Sequence, residues 1–311
     1  MQRETEETKM DGIIPLYKER GLTSFDCVAK LRHILHTKKV GHSGTLDPSV
    51  DGVLPICIGS ATKVVPYLMA SGKVYKGTVT LGLATTTEDL DGEVIDRQPL
   101  TTPFDRAKLL QAAAALTGTI QQTPPMFSAV KVNGRRLYEY ARAGETVERP
   151  TRTITVSAFD LVDDGQFDAE QGTQTIAFEI ACSKGTYVRT LAVDLGRQLG
   201  VPAVMASLTR LKSGGFDLDQ TVTLDQVAAA MAAEDLSEIL RPIDYALRDY
   251  PHVTLSERLW GLVKNGVFLD EEQVGSTAPV VALTYQDQTK CLYQYLPEKK
   301  QYKPLKMFTV N

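Results

Sequence analysis

Apolar positions along the chain recur with two periods. Near the N-terminal end Phe25, Val28, Leu31 and Leu35 fall at helical spacing behind Thr23 and Ser24, either of which can cap a helix. From Val74 to Leu83 the period is two, with Val79, Leu81 and Leu83 set against Lys76, Thr78 and Thr80, the pattern of a half-buried strand. Thr102 and Pro103 open a predicted helix running through Leu116, since proline is tolerated in a first turn. Ile176, Phe178, Ile180 and Cys182 alternate as another strand. The chain then turns through Lys184, Gly185 and Thr186 into a helix. Its Val188, Leu191, Ala192, Leu195 and Leu199 share one face, and Gly200 ends it. Leu224 to Leu240 reads as a polar, alanine-rich helical region, and Pro242 and Pro251 bracket a boundary. Beyond it Pro279–Thr284, Cys291–Leu296 and a run near Met307, with the turn YQDQTK between the first two, predict a small β-rich domain. Strands and helices intermix without a regular βαβ rhythm, so the expected class is α+β.

Two stretches lack either period. VGHSGTLDPSVDGVLP (Val40 to Pro55) is glycine-rich and irregular, and residues 121–152 are turn-rich, basic and too long for a simple connection.

Composition narrows the possibilities. With 311 residues, 43% hydrophobic and 23% charged, the chain can build one large domain and a small one. No apolar run is long enough for a membrane span, and the polar start MQRETEETKM is not a secretory signal. Residues 1–10 are expected to form a disordered tail, with Met10 a candidate initiator. Cys27, Cys57, Cys182 and Cys291 are scattered without a CxxC pair, which argues against structural zinc and for reduced thiols in a cytoplasmic protein. His33 and His36 beside Lys38 and Lys39 read as a solvated face rather than metal ligands. TEDLDGE resembles a calcium loop, but aligning Gly92 to its turn puts Thr87 and Gln98 at the end positions, where ligands are required. No phosphate-cradling GxxxxGK[ST] or GxGxxG occurs, so no nucleotide cofactor is indicated, and no metal either. The net charge is −4, yet residues 12–150 hold 17 basic against 13 acidic residues while 151–250 hold 8 against 15. The positive excess coincides with the irregular stretches, as an electrostatic footprint for phosphates requires.

Asp47 stands in GTLDP, between Gly44 and Pro48 and five residues after His42. A loop aspartate is ordinarily a turn former. As a nucleophile, however, a carboxylate with a reference pKa of about 3.9 is ionised at neutral pH and needs no activating base. Ser43 and Thr45 have no triad partners. Carboxylate nucleophiles suit displacement at a sugar carbon, as in retaining glycosidases. Arg189 opens the helix after KGTY and can fork onto a carboxylate or phosphate, with Lys184 and the helix N-terminus adding an anion site. Tyr75 is either a core aromatic or a base-stacking platform. PPMFSAVKVNGRRLYEYAR (Pro124 to Arg142) interleaves Lys131, Arg135, Arg136 and Arg142 with Phe127, Tyr138 and Tyr140, which suits either a solvated basic loop or an element gripping a nucleic-acid backbone and stacking on bases.

Taken together these segments resemble the TruB family of tRNA pseudouridine-55 synthases. VGHSGTLDPSVDGVLPICIGSATK resembles the family's Asp-bearing motif, KVYKGTVTLGLATTTEDLDG its Tyr-bearing strand, QTPPMFSAVKVNGRRLYEYARAGETVERP its tRNA-gripping insertion and CSKGTYVRTLAVDLG its Arg motif. The resemblance runs from about Asp11 to Phe216 and continues faintly at LRPIDYAL. It implies a pseudouridine synthase fold: a long mixed, largely antiparallel sheet flanked by helices, followed by a small PUA-like barrel. The expected division is catalytic residues 11–248, including an RNA-gripping insertion at 124–152, and an RNA-binding domain at 249–311. It further implies isomerisation of uridine 55 in the T-loop of tRNA, without metal or organic cofactor; a monomer is the default expectation. Asp47 would be the nucleophile, Tyr75 would stack on the flipped base and assist proton removal, and Arg189 would pair with Asp47. Tyr187 and Leu208 would line the uracil pocket, and His42 would hold the T-loop. Lys18, Lys131, Arg135, Arg136 and Arg142 join the expected RNA-contacting set, and the insertion is expected to close on RNA.

The chain departs from the family in two places. Lys18-Glu19-Arg20-Gly21 stands where Lys-Pro-x-Gly is usual, which is expected to loosen that turn and bring an acid near the site. Ala203-Val204-Met205 and Arg210-Leu211 replace Ala-His-Met and Arg-Thr, at the expected cost of a tRNA contact. The competing functions are a guide-dependent pseudouridine synthase acting on another RNA and a non-catalytic tRNA-binding or tRNA-folding module.

Overall fold

A computed structural model of the chain describes residues 10–309. The main strands are β1 (Gly12–Lys18), β2 (Asp51–Ile58), β3 (Lys73–Leu81), β4 (Gly118–Gln122), β5 (Arg152–Leu161), β6 (Thr173–Cys182) and β7 (Ala203–Ser213), followed by β8 (His252–Thr254), β9 (Leu269–Asp270), β10 (Val280–Tyr285), β11 (Gln288–Leu296) and β12 (Gln301–Met307). The α-helices include α1 (Ser24–Ile34), α2 (Val65–Ala70), α3 (Arg106–Ala115), α4 (Leu137–Arg142), α5 (Val188–Leu199), α6 (Leu224–Ala232) and α7 (Glu257–Val263).

The first seven strands form the spine of a ten-stranded sheet in the order β1-β2-β7-β3-β6-β5-β4. Along that spine only β7 and β2 run parallel, pairing Thr209 with Asp51 and Arg210 with Gly52. The mixed, largely antiparallel α+β sheet expected from the sequence is therefore present. The β7–β2 pairing requires close backbone approach. A Cβ on Gly52, whose φ is +113°, would lie 2.2 Å from the Arg210 carbonyl oxygen.

α5 behaves as its pattern dictates. Val188, Leu191, Ala192 and Leu195 are buried, and Gly200 closes the helix in the left-handed conformation at φ 75°. Burial of each large apolar side chain there contributes about 1.5–3 kcal/mol relative to exposure. Other elements differ from the sequence pattern. α3 starts at Arg106 rather than Thr102, because the Asp105 carboxylate accepts from the Lys108 amide and sets the N-cap after Pro103. β3 ends at Leu81, since Gly82 turns the chain at φ 103° and Leu83 begins a separate short strand. Leu224 to Leu240 is not one helix. α6 stops at Ala232, Glu234 takes φ 56° and the Asp235 carboxylate accepts from the Ser237 amide, a local turn that competes with helix. In α1, Val28, Leu31 and the following Leu35 face the core, but Phe25 is 65% exposed.

The C-terminal strands form a five-stranded sheet in the order β8-β10-β11-β12-β9. It is not an isolated unit. Val281, Leu283, Cys291 and Tyr293 pack with Trp260 and Val263 of α7, while the alternate residues Ala282 and Leu292, with Phe308, share a core with Ile13, Val53, Cys57 and Leu68. Lys63 Nζ donates to the Phe308 carbonyl at 2.7 Å across the same junction. Met10, counted with the expected tail, packs against the main core, and residues 1–9 lie outside the described residues. All four cysteines are free and buried. Among the described residues no helix is long and apolar enough to cross a membrane.

Lys73 opens β3 and is buried, with Nζ reaching the Met69 and Ser71 carbonyls at 3.3 and 3.4 Å. Burial, assisted by the nearby Arg210 charge, pushes its pKa down from 10.5 to about 8. Below about pH 8 the ammonium is charged in both folded and unfolded chains. Between about 8 and 10.5 the unfolded chain holds a proton that the folded protein has released, so this group makes stability rise with pH. Urea unfolding of wild type and Lys73→Met across that window is expected to show a steeper rise for wild type. Parallel curves would contradict the assignment.

Candidate active site

The loop carrying Asp47 is pinned on both sides. Thr23 takes the N-cap of α1 in a reciprocal arrangement with Asp26, which leaves the Ser24 hydroxyl to bond Leu46. It accepts from the Leu46 amide at 2.8 Å and donates to the Leu46 carbonyl at 3.2 Å. After Asp47, the Pro48 carbonyl accepts from the Gly21 amide at 2.8 Å and from Lys18 Nζ at 3.4 Å. Asp51, where β2 begins, accepts from the Tyr17 hydroxyl at 2.9 Å and the Thr209 hydroxyl at 2.5 Å, and pairs with Arg20 at 3.3 Å. The backbone around Asp47 is thus held while its carboxylate stays 39% exposed.

Arg189, 7% exposed in its side chain, lies at the first turn of α5 and meets Asp47 Oδ2 through Nε at 2.9 Å. Its other nitrogens are also used, Nη1 donating to the Thr87 carbonyl at 2.7 Å and Nη2 to the Phe127 carbonyl at 2.9 Å. Asp89 Oδ2 stands 3.8 Å from Nε. Leaving a buried guanidinium without partners costs about 3–5 kcal/mol, and here three separate segments satisfy it. The Thr87–Asp89 turn is itself held to the sheet. Thr190 donates to the Glu88 carboxylate at 2.8 Å, the Met205 amide donates to the Glu88 carbonyl at 3.1 Å, and Glu88 takes φ 66°. Burial raises the pKa of both Glu88 and Asp89.

Beneath the loop, β3 and β7 present Tyr75, Leu208 and Arg210, with Tyr75 opposite Arg210 and Gly77 opposite Leu208. The register slips on either side of this segment, at Met205/Ser207 and Arg210/Lys212, as β-bulges commonly do beside sites. Tyr75 is 6% exposed and belongs to the core, and burial raises the pKa of its phenol. Leu208 is also 6% exposed. Tyr187 is half-buried and fixed through its backbone. Gln122 Oε1 accepts from its amide at 2.8 Å and Gln122 Nε2 donates to its carbonyl at 3.0 Å. His42 is half-buried, and its Nδ1 accepts from the Gly44 amide at 3.3 Å, so the neutral ring carries its proton on Nε2. Burial first, then the Arg210 charge, lower its pKa and favour that neutral form.

Lys18 departs from its expected place at the RNA surface. It is fully buried, and Nζ donates to the carbonyls of Leu22 at 2.6 Å, Glu19 at 3.0 Å and Pro48 at 3.4 Å. The Lys18–Gly21 turn is accordingly held rather than loosened, and Glu19 faces outward. Val204 is fully buried and Leu211 half-buried, so these two departures lie within the sheet.

Lys131, Arg135, Arg136 and Arg142 are all exposed, on a two-residue hairpin ladder and α4. The tyrosines between them are not open platforms. Arg135 lies 4.3 Å over Tyr140 and pairs with Glu145 at 2.9 Å, while Arg136 and Arg142 both cover Tyr138, at 5.7 and 5.3 Å. The cations stand outward and the rings brace them.

Spacing in the sequence does not single out Asp89, Gln122 or the buried role of Arg210. Asp89 lies within TEDLDGE, a segment that resembles a calcium loop rather than a partner for arginine.

Comparison with known proteins identifies the family. The family described as TruB family pseudouridylate synthase (N terminal domain) matches residues 32–188, and the tRNA pseudouridylate synthase B C-terminal domain matches residues 189–248. The tRNA pseudouridine synthase B of Levilactobacillus brevis is 78% identical over 303 residues, spanning 97% of this chain and 100% of its own. That of Lactiplantibacillus plantarum is 61% identical over 306 residues, with 97% and 100% covered. In a solved Cbf5-Nop10-Gar1 complex one chain matches with a TM-score of 0.72 at 26% identity, covering 96% of this chain and 85% of that one. A chain of an archaeal box H/ACA sRNP Nop10-Cbf5 complex gives 0.69 at 23% identity, covering 99% and 89%, a likeness of fold alone. The sheet and its flanking helices are thus those of pseudouridine synthases, and the curled five-stranded C-terminal sheet agrees with a PUA-like domain. The chain belongs to the TruB family of tRNA pseudouridine synthases, isomerases that convert uridine in tRNA to pseudouridine.

Proposed function

We propose that the uridine isomerised is position 55 in the T-loop of tRNA and that Asp47 is the nucleophile. The observation that carries this reading is the half-exposed Asp47 carboxylate held at 2.9 Å by the buried Arg189. In the reaction the C1′–N1 bond breaks and a C1′–C5 bond forms, while C5 loses its proton and N1 gains one. Atoms balance within the uridine and water, so the chemistry asks for a nucleophile, a proton acceptor and a pocket in which the uracil can turn. Asp47 would attack the target nucleotide, and Arg189 would keep the carboxylate aimed. Tyr75 would stack against the flipped base and assist proton removal, with Leu208 and Tyr187 bounding the pocket. Extruding a stacked uridine costs a few kcal/mol, which stacking and pocket contacts must replace.

His42, on the strand entering the loop, would hold the T-loop with its uridine turned out. Lys131, Arg135, Arg136 and Arg142 would grip the phosphates. Residues 11–248 would carry the chemistry, 124–152 serving as the gripping insertion, and residues 249–311 would add RNA contacts. The relatives named for tRNA stand at 61% and 78% identity, against 26% and 23% for the Cbf5-containing complexes, which favours tRNA over another RNA substrate.

Two measurements test this. With tRNA tritiated at uridine C5, wild type is expected to release tritium and Asp47→Asn to release none while still binding tRNA. Continued release by Asp47→Asn would overturn the nucleophile assignment. Replacing Arg135 and Arg136 together by alanine is expected to weaken tRNA binding and flatten the slope of log K against log salt by roughly one to two. An unchanged slope would remove the insertion from the RNA interface.

A further inference from the structure

Arg210 is a buried guanidinium, 1% exposed, and among the described residues no carboxylate lies within ion-pair distance of it. Backbone carbonyls take the charge instead. Nε donates to Val53 at 2.7 Å, Nη2 to Gly44 at 3.2 Å and Nη1 to Thr45 at 3.4 Å. The Tyr75 phenol, on the neighbouring strand, lies close enough to feel the charge of this guanidinium, which opposes the rise that burial imposes on its pKa. Its place in the sheet explains this reach, because β7 at Arg210 pairs with Gly52 of β2 on one side and Tyr75 of β3 on the other. The side chain therefore spans the strand that leaves the Asp47 loop and the strand that carries Tyr75. Gly44 sits over it, the point a Cβ there would occupy being 3.8 Å from Arg210 Nη1 and 3.6 Å from Lys73 Cε.

We infer that Arg210 is a positioning residue that fixes the Asp47 loop relative to Tyr75. The inference rests on the proposed roles of Asp47 and Tyr75. Two of its acceptors, Gly44 and Thr45, lie just before Asp47, and Val53 lies just after the loop, so one planar group holds both arms. Tyr75, against which the base is to turn, stands opposite Arg210 in the strand pairing and feels its charge. Its charge reaches further, lowering the pKa of both His42 and Lys73. A lysine keeps the charge but lacks the rigid fork that serves several acceptors at once. Misplacement of reacting groups by about 1 Å costs on the order of 100-fold in rate. Because Arg210 is buried against the sheet, the loss should fall on the chemical step and spare tRNA affinity.

The test compares Arg210→Lys, Arg210→Met, Tyr75→Phe, the Arg210→Lys/Tyr75→Phe pair and Asp47→Asn. Each is assayed for single-turnover tritium release at saturating tRNA, for tRNA affinity, and for thermal melting to choose a temperature at which it is folded. Arg210→Lys is expected to release tritium about 100-fold more slowly with affinity within about twofold of wild type. Arg210→Met is expected to be at least as slow. The pair is expected to lose less than the product of its single losses, because the two residues are direct neighbours across β7 and β3. A wild-type rate in Arg210→Lys overturns the inference, as do multiplicative losses or variants that fold at no usable temperature. Asp47→Asn separates the two levels. If it keeps the wild-type rate, the reading of the site fails. If it is inactive while Arg210→Lys is fast, only the role of Arg210 falls.

Discussion

The site depends on one constraint: a guanidinium taken out of water must find an acceptor for each of its donating edges. Arg189 meets it with the Asp47 carboxylate, the Thr87 carbonyl and the Phe127 carbonyl, at 2.9, 2.7 and 2.9 Å. These acceptors come from three segments distant in sequence: the glycine-rich loop, the turn after β3 and the basic insertion. Their convergence on one planar group puts a carboxylate at the surface with its direction set. Arginine is suited to this where lysine is not, since its donors form a fixed fork.

The surroundings follow the same economy of backbone acceptors. Arg210 and Lys18 are both buried; Arg210 directs its donors to carbonyls of the Asp47 loop and the strand leaving it, while Lys18 ties its own turn, through Leu22 and Glu19, to Pro48. Asp51 gathers Tyr17, Arg20 and Thr209 behind it. A loop rich in glycine has little shape of its own, and here its shape is imposed by cations on the neighbouring turn and strand. The insertion is joined to this arrangement through Phe127, so its position and the alignment of Arg189 are linked. Its arginines, braced by Tyr138 and Tyr140, remain outward where phosphates can reach them.

Much of the fold was legible because it rests on local periodicity. The apolar face of α5, its Gly200 cap, and the alternation in β3 and β6 follow directly from side-chain spacing. Where prediction slipped, a short-range competitor won: Asp105 captured the start of α3, and Asp235 ended the helical region that α6 begins. Phe25 shows that helical spacing marks a face without saying how wide the buried part is. Contacts between remote segments are a different matter. No periodicity joins Asp47 to Arg189, and only the resemblance to a family suggested that pair. The burial of Lys18 and Arg210 was not legible, because basic residues near an RNA site suggest exposure until the sheet places them beneath it. Asp89 is not legible as a neighbour of Arg189, because its acidic surroundings in the sequence resemble a cation loop, whereas the fold brings an arginine to 3.8 Å.

The central claim, that the fork of Arg189 and not merely its charge sets the proposed nucleophile Asp47, is most directly tested by Arg189→Lys. The account predicts that single-turnover pseudouridine formation at saturating tRNA falls by roughly 100-fold or more while tRNA affinity stays near wild type. A lysine variant that forms pseudouridine at the wild-type rate would contradict it.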